Sequence, residues 1–368
     1  MRRITLSVVM SSLVLSLAGC GVLDMGGESG GDATPAKGND LTIGLLLPEQ
    51  ANTRYDKFDH PFFEKKVAAL TDGQGRVRYA NADADATRQE TQLQEMIDDR
   101  VDAIVLDAVD AKAISAGVAR ANAEGIPVIA YDRLAEGPID AYISFDNELV
   151  GQVQGRSLLE ALGGDSASDR IVMMNGSPTD PNAAEFKQGA LTELEGQVTV
   201  AKSYDTEGWK PENAEAQMAE AIEEIGLDNI AGVYSANDGM AGGVVAALEA
   251  AGVTKLPPIT GQDAELAAVQ RIIAGEQYMS VYKSYPQEAE TAAALAVARA
   301  QGRNIQFDAL TRERVDSPTH KDIPAQLVTV VALTAENIEE TVVAEGIHKL
   351  SDICTAEFKD DCAVAGLS

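Results

Sequence analysis

The chain has 368 residues, with 58 acidic against 29 basic side chains and a net charge of −29. So acidic a surface repels phosphate backbones and anionic headgroups, which sets nucleic acid and a bare anionic bilayer aside as partners. The length exceeds what a single hydrophobic core usually serves, so two lobes are expected.

Arg2 and Arg3 precede a largely apolar run, Ile4 to Leu17, that is too short to cross a hydrocarbon core. Followed by the small residues of Leu17-Ala18-Gly19-Cys20, it reads as a signal peptide over residues 1–19. The tetrapeptide resembles the bacterial lipobox. That resemblance implies a lipid on Cys20 and an extracytoplasmic protein anchored to the cell membrane. The stretch after Cys20, to residue 40, contains GGESGGDATPAKGN and too few apolar side chains to build a core, so it reads as a tether.

From Leu41 two periodicities alternate. LTIGLLL (41–47) reads as a buried strand, 61–70 as a helix, RVRYA (76–80) as a strand and 87–99 as a helix with Leu93, Met96 and Ile97 on one face. NADADA (81–86) reads as a polar strand-to-helix turn, since it lacks the Gly and the final Glu of a calcium loop. DAIVLDA (102–108), a helix over 111–124 and IPVIAYD (126–132) continue the pattern. Nearly continuous Val, Ile and Leu in these strands points to a parallel sheet covered on both faces. AYISFDNELVG (141–151) then runs from strand into helix and reads as a first crossing between lobes.

The alternation restarts with strands over 170–176, 198–205, 230–238, 257–263 and 278–283. Helices are expected between them over 182–194, 212–225, 239–251 and 264–274. A helix over 286–301 and a late strand AQLVTVVAL (325–333) lack partners unless the chain returns to each lobe. The expected fold class is therefore α/β: two doubly wound parallel-sheet lobes joined by a hinge of three strands. The first lobe would take residues 41–144 and about 284–318, the second 145–283 and about 319–350. The tail, 351–368, carries Cys354 and Cys362. Outside the cytoplasm an isolated even pair reads as a disulfide; the spacing does not suit a C-x-x-C redox or metal pair.

Ligands of open α/β sheets sit beyond the carboxyl ends of the strands. Those ends are Asp132-Arg133, Asn175 to Asn182, Asp205 to Trp209, Asn237-Asp238, Gln262-Asp263 and Lys283. Carboxylates accept, amides exchange, and Arg and Lys donate, which together match hydroxyl groups that do both. Trp209 is the only Trp and lies in a loop, GWKPENA, where it suits a flat wall for the apolar face of a sugar ring.

Several ordered blocks then coincide with one family: AYDR (130–133), YISFDNE (142–148), GSPTDPNA (176–183), GWKPENA (208–214), SANDGMAGG (235–243), GQDAELA (261–267), RIIAGEQYMSVYK (271–283) and ENIEETVVAEGIH (336–348). The chain resembles the xylose-binding periplasmic components of bacterial ABC sugar importers, within the ribose- and galactose-binding group, over about 41–350. The resemblance implies a periplasmic binding protein of type I that holds a monosaccharide, D-xylose or a close pyranose, and hands it to an ABC permease. It implies that Asp132, Arg133, Asn182, Asn237, Asp263 and Lys283 bond sugar hydroxyls and that Trp209 stacks on the ring. Arg54-Tyr55, in ANTRYDKF, best matches the family's Arg and aromatic pair after the first strand, with Tyr55 where Trp is usual. Pro181 stands where Asn is usual. Arg54, Arg133 and Lys283 are expected to face Asp132 and Asp263, with Asp180 and Asp238 nearby.

An enzyme is a weaker reading, because the chain has no G-x-S-x-G, H-E-x-x-H or phosphate-loop motif and its three His are scattered. Asp132 and Asp263 as the paired carboxylates of a glycosidase would need to be free of their cationic neighbours. A sugar-responsive repressor would need a DNA-binding helix pair in place of the leader. A sensor that docks a signalling partner is compatible with transport. No cofactor and no metal is expected, and the protein is expected to act as a monomer.

Overall fold

The computed structural model describes residues 37–50, 52–163 and 167–367. The expected leader, Cys20 and most of the tether lie outside these residues. Among those described, no helix is long and apolar enough to cross a membrane.

The first half of the chain lays down β1 (Thr42–Leu47), α1 (His60–Leu70), β2 (Arg76–Asn81), α2 (Ala86–Asp98), β3 (Ala103–Leu106), α3 (Ser115–Ala123), β4 (Val128–Tyr131) and β5 (Ala141–Phe145). Asp85 caps α2 through Thr87 N and Arg88 N, so the NADADA segment is a turn that starts a helix. Leu93, Met96 and Ile97 face the core, as their spacing requires. β1 pairs in parallel with β2 on one side and β3 on the other. Its apolar run is buried on both faces because helices cover both.

After β5 the chain enters α4 (Asn147–Leu162) and builds a second unit from β6 (Arg170–Asn175), α5 (Pro181–Leu194), β7 (Thr199–Asp205), α6 (Pro211–Ile225), β8 (Gly232–Ser235), α7 (Asp238–Ala250), α8 (Leu266–Ala274) and β9 (Ser280–Lys283). β7, β6 and β8 form a parallel sheet. The expected strand over 257–263 contributes only single bridges, Ile259 to Val233 and Gln262 to Val281. α4 and α5 cross in close contact because Gly151 and Gly189 have no side chains. A Cβ on Gly189 would come within 2.0 Å of Glu148 O, and one on Gly151 within 2.0 Å of Phe186 O.

The chain returns to the first unit through α9 (Tyr285–Ala300), α10 (Asn304–Leu310), β10 (Glu313–Val315) and β11 (Ile323–Val328), then leaves again through β12 (Val330–Leu333). The first sheet has the order β10-β11-β5-β4-β3-β1-β2, and β12 pairs antiparallel with β9 beside the second sheet. Two readings of the sequence are corrected here. The late strand expected over 325–333 is two strands that break at Thr329 and pair with different sheets. The segment Ile323–Val328, expected in the second lobe, runs parallel to β5, and Ile323, Ala325 and Val328 are buried in the first core. An unbroken apolar run carries no mark of which sheet each residue will join. The crossings fall at Phe145, Lys283 and Thr329, side by side.

In the C-terminal tail Cys354 and Cys362 are bridged. Ile353, Cys362 and Leu367 pack with Ile272 and Tyr282, which seats the tail on the second unit.

Candidate functional site

The cleft between the two units narrows to a cavity lined by Glu49, Asn52, Arg54, Tyr55, Asp132 and Arg133 from the first and by Asp180, Asn182, Phe186, Trp209, Asn237, Gln262, Asp263 and Lys283 from the second. All nine side chains expected to face a ligand are among them. Most of them follow a strand or start the next helix, while Lys283 ends β9 and Asp263 follows the bridged segment at Gln262, so that a polar side chain stays at the sheet edge.

Arg54 is the hub of the first-unit side. It is 2% exposed. Its Nε and Nη2 donate to the two oxygens of Asp59 at 3.1 and 2.7 Å. Nη2 also reaches Glu288 Oε2 at 2.7 Å, and Nη1 reaches Asp132 Oδ2 at 2.6 Å. The guanidinium lies 4.3 Å from the centre of the Tyr285 ring. The bidentate partner is thus Asp59, which sequence reasoning missed, and not Asp132. Most of the donors of Arg54 are committed before any ligand arrives, so its main task is to fix Asp132. Tyr131 donates its hydroxyl to Asp59 and closes the network.

Asp132 has a left-handed backbone, φ 55°. Such a conformation costs of order 1 kcal/mol and persists where the surroundings over-determine it. Here they do: the Asp132 carbonyl accepts from Ser144 Oγ, Tyr142 Oη and Asn182 Nδ2 at 2.7, 2.8 and 3.0 Å. Asn182 Nδ2 also donates to Asp132 Oδ1 at 2.9 Å, so this contact spans the cleft. Burial pushes the Asp132 carboxyl up, but Arg54, Lys283 and Arg133 together outweigh it and hold the group below its ordinary range.

A second contact across the cleft joins Arg133 Nε to Asp180 Oδ2 at 2.9 Å, and a third joins Asn52 Nδ2 to Asp263 Oδ2 at 2.9 Å. Asp263, also left-handed at φ 97°, pairs with Lys283 Nζ at 2.9 Å. Burial lowers the Lys283 ammonium, yet Asp263 and Asp132 raise it above its ordinary value, so it stays charged at the hinge crossing.

The aromatic wall is built by the second unit. Trp209, with φ 58°, closes a short turn over Glu207–Trp209 and donates its Nε1 to Asp180 Oδ2 at 3.1 Å. Its ring meets Phe186 edge-on, with centroids 6.2 Å apart. The ring lies directly on Gly176, where a Cβ would stand 2.0 Å from it. Phe186 was not foreseen. Its signal was its place four residues after Asn182 on α5, hence on the same helix face. Glu49 and Asn52 were also missed, and Gln262, placed at a strand end beside Asp263 by the sequence, was given no role of its own. Tyr55 lines the cavity as expected. Asn237 both lines it and caps α7, its Oδ1 accepting from Met240 N at 2.9 Å.

Asp238 behaves differently from its neighbour. Its carboxylate points away from the cavity and accepts from Gln277 Nε2, Ser280 Oγ and Glu265 N at 2.8, 2.8 and 3.0 Å. Burial, against the pull of Arg271, pushes it up to about 7, and burial beside Asp238 pushes Glu265 up to about 8. Among the described residues no group of His, Cys, Asp and Glu has the geometry of a metal site.

Comparison with known proteins places this geometry. The family model for a periplasmic binding protein domain matches residues 43–304. The chain is 34% identical to the D-xylose-binding periplasmic protein of Escherichia coli over 324 residues, 86% of this chain and 94% of that protein. It is 30% identical to a multiple sugar-binding periplasmic receptor of Rhizobium radiobacter, over 85% of this chain and 92% of the receptor. Among solved structures, an ABC transporter solute-binding protein of Clostridium phytofermentans with bound β-D-glucose superposes with a TM-score of 0.73 at 26% identity, over 85% of this chain and 99% of that one.

Proposed function

The chain belongs to the periplasmic binding protein domain family, a family of solute-binding proteins and not of enzymes, and from that premise we propose that it is the sugar-capturing component of an ABC importer. The ligand is D-xylose or a closely similar pyranose, held in the cleft and released to a membrane permease. The observation that carries this reading is the meeting of ionised donors and acceptors from both units around one aromatic wall. Asp132, Arg133, Asn182, Asn237, Asp263 and Lys283 supply hydrogen bonds to ring hydroxyls, and Trp209 covers the apolar face of the ring. The first lobe comprises 41–145 and 284–328, the second 146–283 and 329–350. The sugar enters when the lobes part about the three crossings, and its contacts to both lobes shift the equilibrium toward the closed form. A lipid on Cys20 keeps the protein at the membrane that holds the permease.

Calorimetry of the protein against D-xylose, L-arabinose, D-ribose, D-glucose and D-galactose tests the reading. The expected result is D-xylose binding with a low-micromolar or tighter constant, weaker for sugars that add or invert a group. Absence of heat with every sugar would overturn it.

A further inference from the structure

Behind the cavity stands a carboxylate that has no place in the ring of sugar-facing groups. Asp107 follows β3, is wholly buried, and makes no hydrogen bond to a described residue through either carboxylate oxygen. Its backbone, in contrast, is fixed: Asp107 N donates to Leu46 O at 2.9 Å and Asp107 O accepts from Gln89 Nε2 at 2.7 Å. A buried carboxylate in this condition is costly and calls for an explanation. Burial, opposed by Arg133, pushes its carboxyl well above the ordinary range.

The cation beside it is Arg133. The Nε of Arg133 lies 3.5 Å from Asp107 Oδ1 and 2.9 Å from Asp180 Oδ2, and is aligned for a hydrogen bond with neither. One of these carboxylates belongs to each side of the cleft. Arg133 itself is tied to the first side, where its Nη1 donates to Ala108 O at 3.1 Å.

The two carboxylates are not equivalent. Asp180 also accepts from Asn182 N at 2.9 Å and from Trp209 Nε1 at 3.1 Å, both on its own side. It keeps these contacts when the cleft opens. The Asp107 carboxylate has Arg133 as its ion-pair partner among the described residues. When the second side swings away, Asp180 leaves with it, and Arg133 remains within reach of Asp107.

We propose that Asp107 is a positioning residue that pairs with Arg133 in the open protein and yields it to Asp180 on closure, so that the contest between the two carboxylates sets how far the sugar-free protein closes. The inference rests on the reading of the cleft as a hinged sugar site. Closure strips Asp107 of a well-formed pair, and this favours the open form until sugar contacts offset it. Arg133 meanwhile keeps its orientation in the open cleft, ready for the ligand.

Small-angle scattering of the sugar-free protein, together with stopped-flow release of D-xylose, reads the contest directly. Asp107→Asn keeps the shape and removes the charge. It is expected to shrink the sugar-free radius of gyration toward that of this structure, which the three contacts across the cleft hold closed, and to slow D-xylose release by about threefold or more. Asp180→Asn is expected to move both readouts the other way. Scattering that is unchanged in both variants, or shifted in the same direction by both, overturns the proposal, as does a sugar-free wild type already as compact as the closed structure. If thermal melting shows that Asp107→Asn does not fold, Asp180→Asn decides alone: an unchanged radius and release rate overturn the proposal. Because scattering is measured without ligand, a failure of D-xylose to bind would count against the sugar assignment and leave this test standing.

Discussion

The two sides of the cleft are built from different chemistry. The first is ionic: Arg54 and Arg133 stand among Asp59, Asp107, Asp132 and Glu288, all buried. The second carries Phe186 and Trp209, facing the single aromatic ring of the first side, Tyr55, and three amides, Asn182, Asn237 and Gln262, with Asp180 beside them and the Asp263–Lys283 pair at the hinge. The difference separates two tasks. The first side neutralises Arg54 within its own lobe, through Asp59, Asp132 and Glu288, and shares only Arg133 with Asp180 of the second. On the proposed hinged reading, the second brings the surface that covers a sugar ring, and its contacts to the ligand form on closure. Pre-organised charge on one wall and apolar area on the other let a hydroxyl-rich ligand be bound without a large reordering cost.

The strongest way to break this contrast is Arg54→Leu. It leaves Asp59, Asp132 and Glu288 facing each other in a buried space, and loss of one partner from such a network costs about 3–5 kcal/mol. Denaturant unfolding should show that loss, with sugar binding abolished. If stability holds and only affinity falls, the first side is not the rigid half. Trp209→Ala comes next. It should weaken D-xylose binding by about 1–3 kcal/mol through lost stacking area, with the unfolding midpoint nearly unchanged. A large loss of stability instead would make Trp209 a core residue that happens to border the cavity.

The smallest effect is one of pH, and it sharpens the contrast by locating buried protons. Asp238 and Glu265 have carboxyls raised to about 7 and about 8 by burial. A raised acid binds its proton more tightly folded than unfolded, so its contribution is complete below the unfolded pKa and is lost as pH rises through the folded one. Glu288, raised by burial, acts in the same direction. His348, lowered by burial, acts in the opposite direction as pH falls through the ordinary His range, but it is a single, partly exposed group. The melting temperature should therefore drop by about a few degrees between pH 5.5 and 8.5, and Asp238→Asn should flatten that slope. A melting temperature that rises over this range would mean that these carboxyls are ionised in the folded protein.

Much of this molecule was legible in the sequence, and the reason is local. Val, Ile and Leu runs such as 41–47 and 102–108 can only be doubly covered strands, and the polar groups that end them must lie at a sheet edge. That logic, together with the family's ordered blocks, picked out Asp132, Arg133, Asn237, Asp263 and Lys283, all of which line one cavity. What escaped was whatever depends on distant parts meeting. Asp59 and Glu288 lie at and beside helix starts whose own sequence gives no hint of Arg54, yet burial obliges that guanidinium to find carboxylates wherever the fold supplies them. Phe186 became a wall only because α5 turns one face to the cleft.

The sequence by itself determined the alternation of strands and helices, the restart that makes two units, and the polar strand ends, because side-chain periodicity and backbone punctuation act over a few residues. Only the tertiary structure decided that Thr329 divides one apolar run between two sheets, that Asp238 turns inward while Asn237 faces the cavity, and that Arg133 stands between a carboxylate of each lobe. Pairing, burial and charge neutralisation there are settled between residues far apart in the chain, and no window of sequence contains both partners.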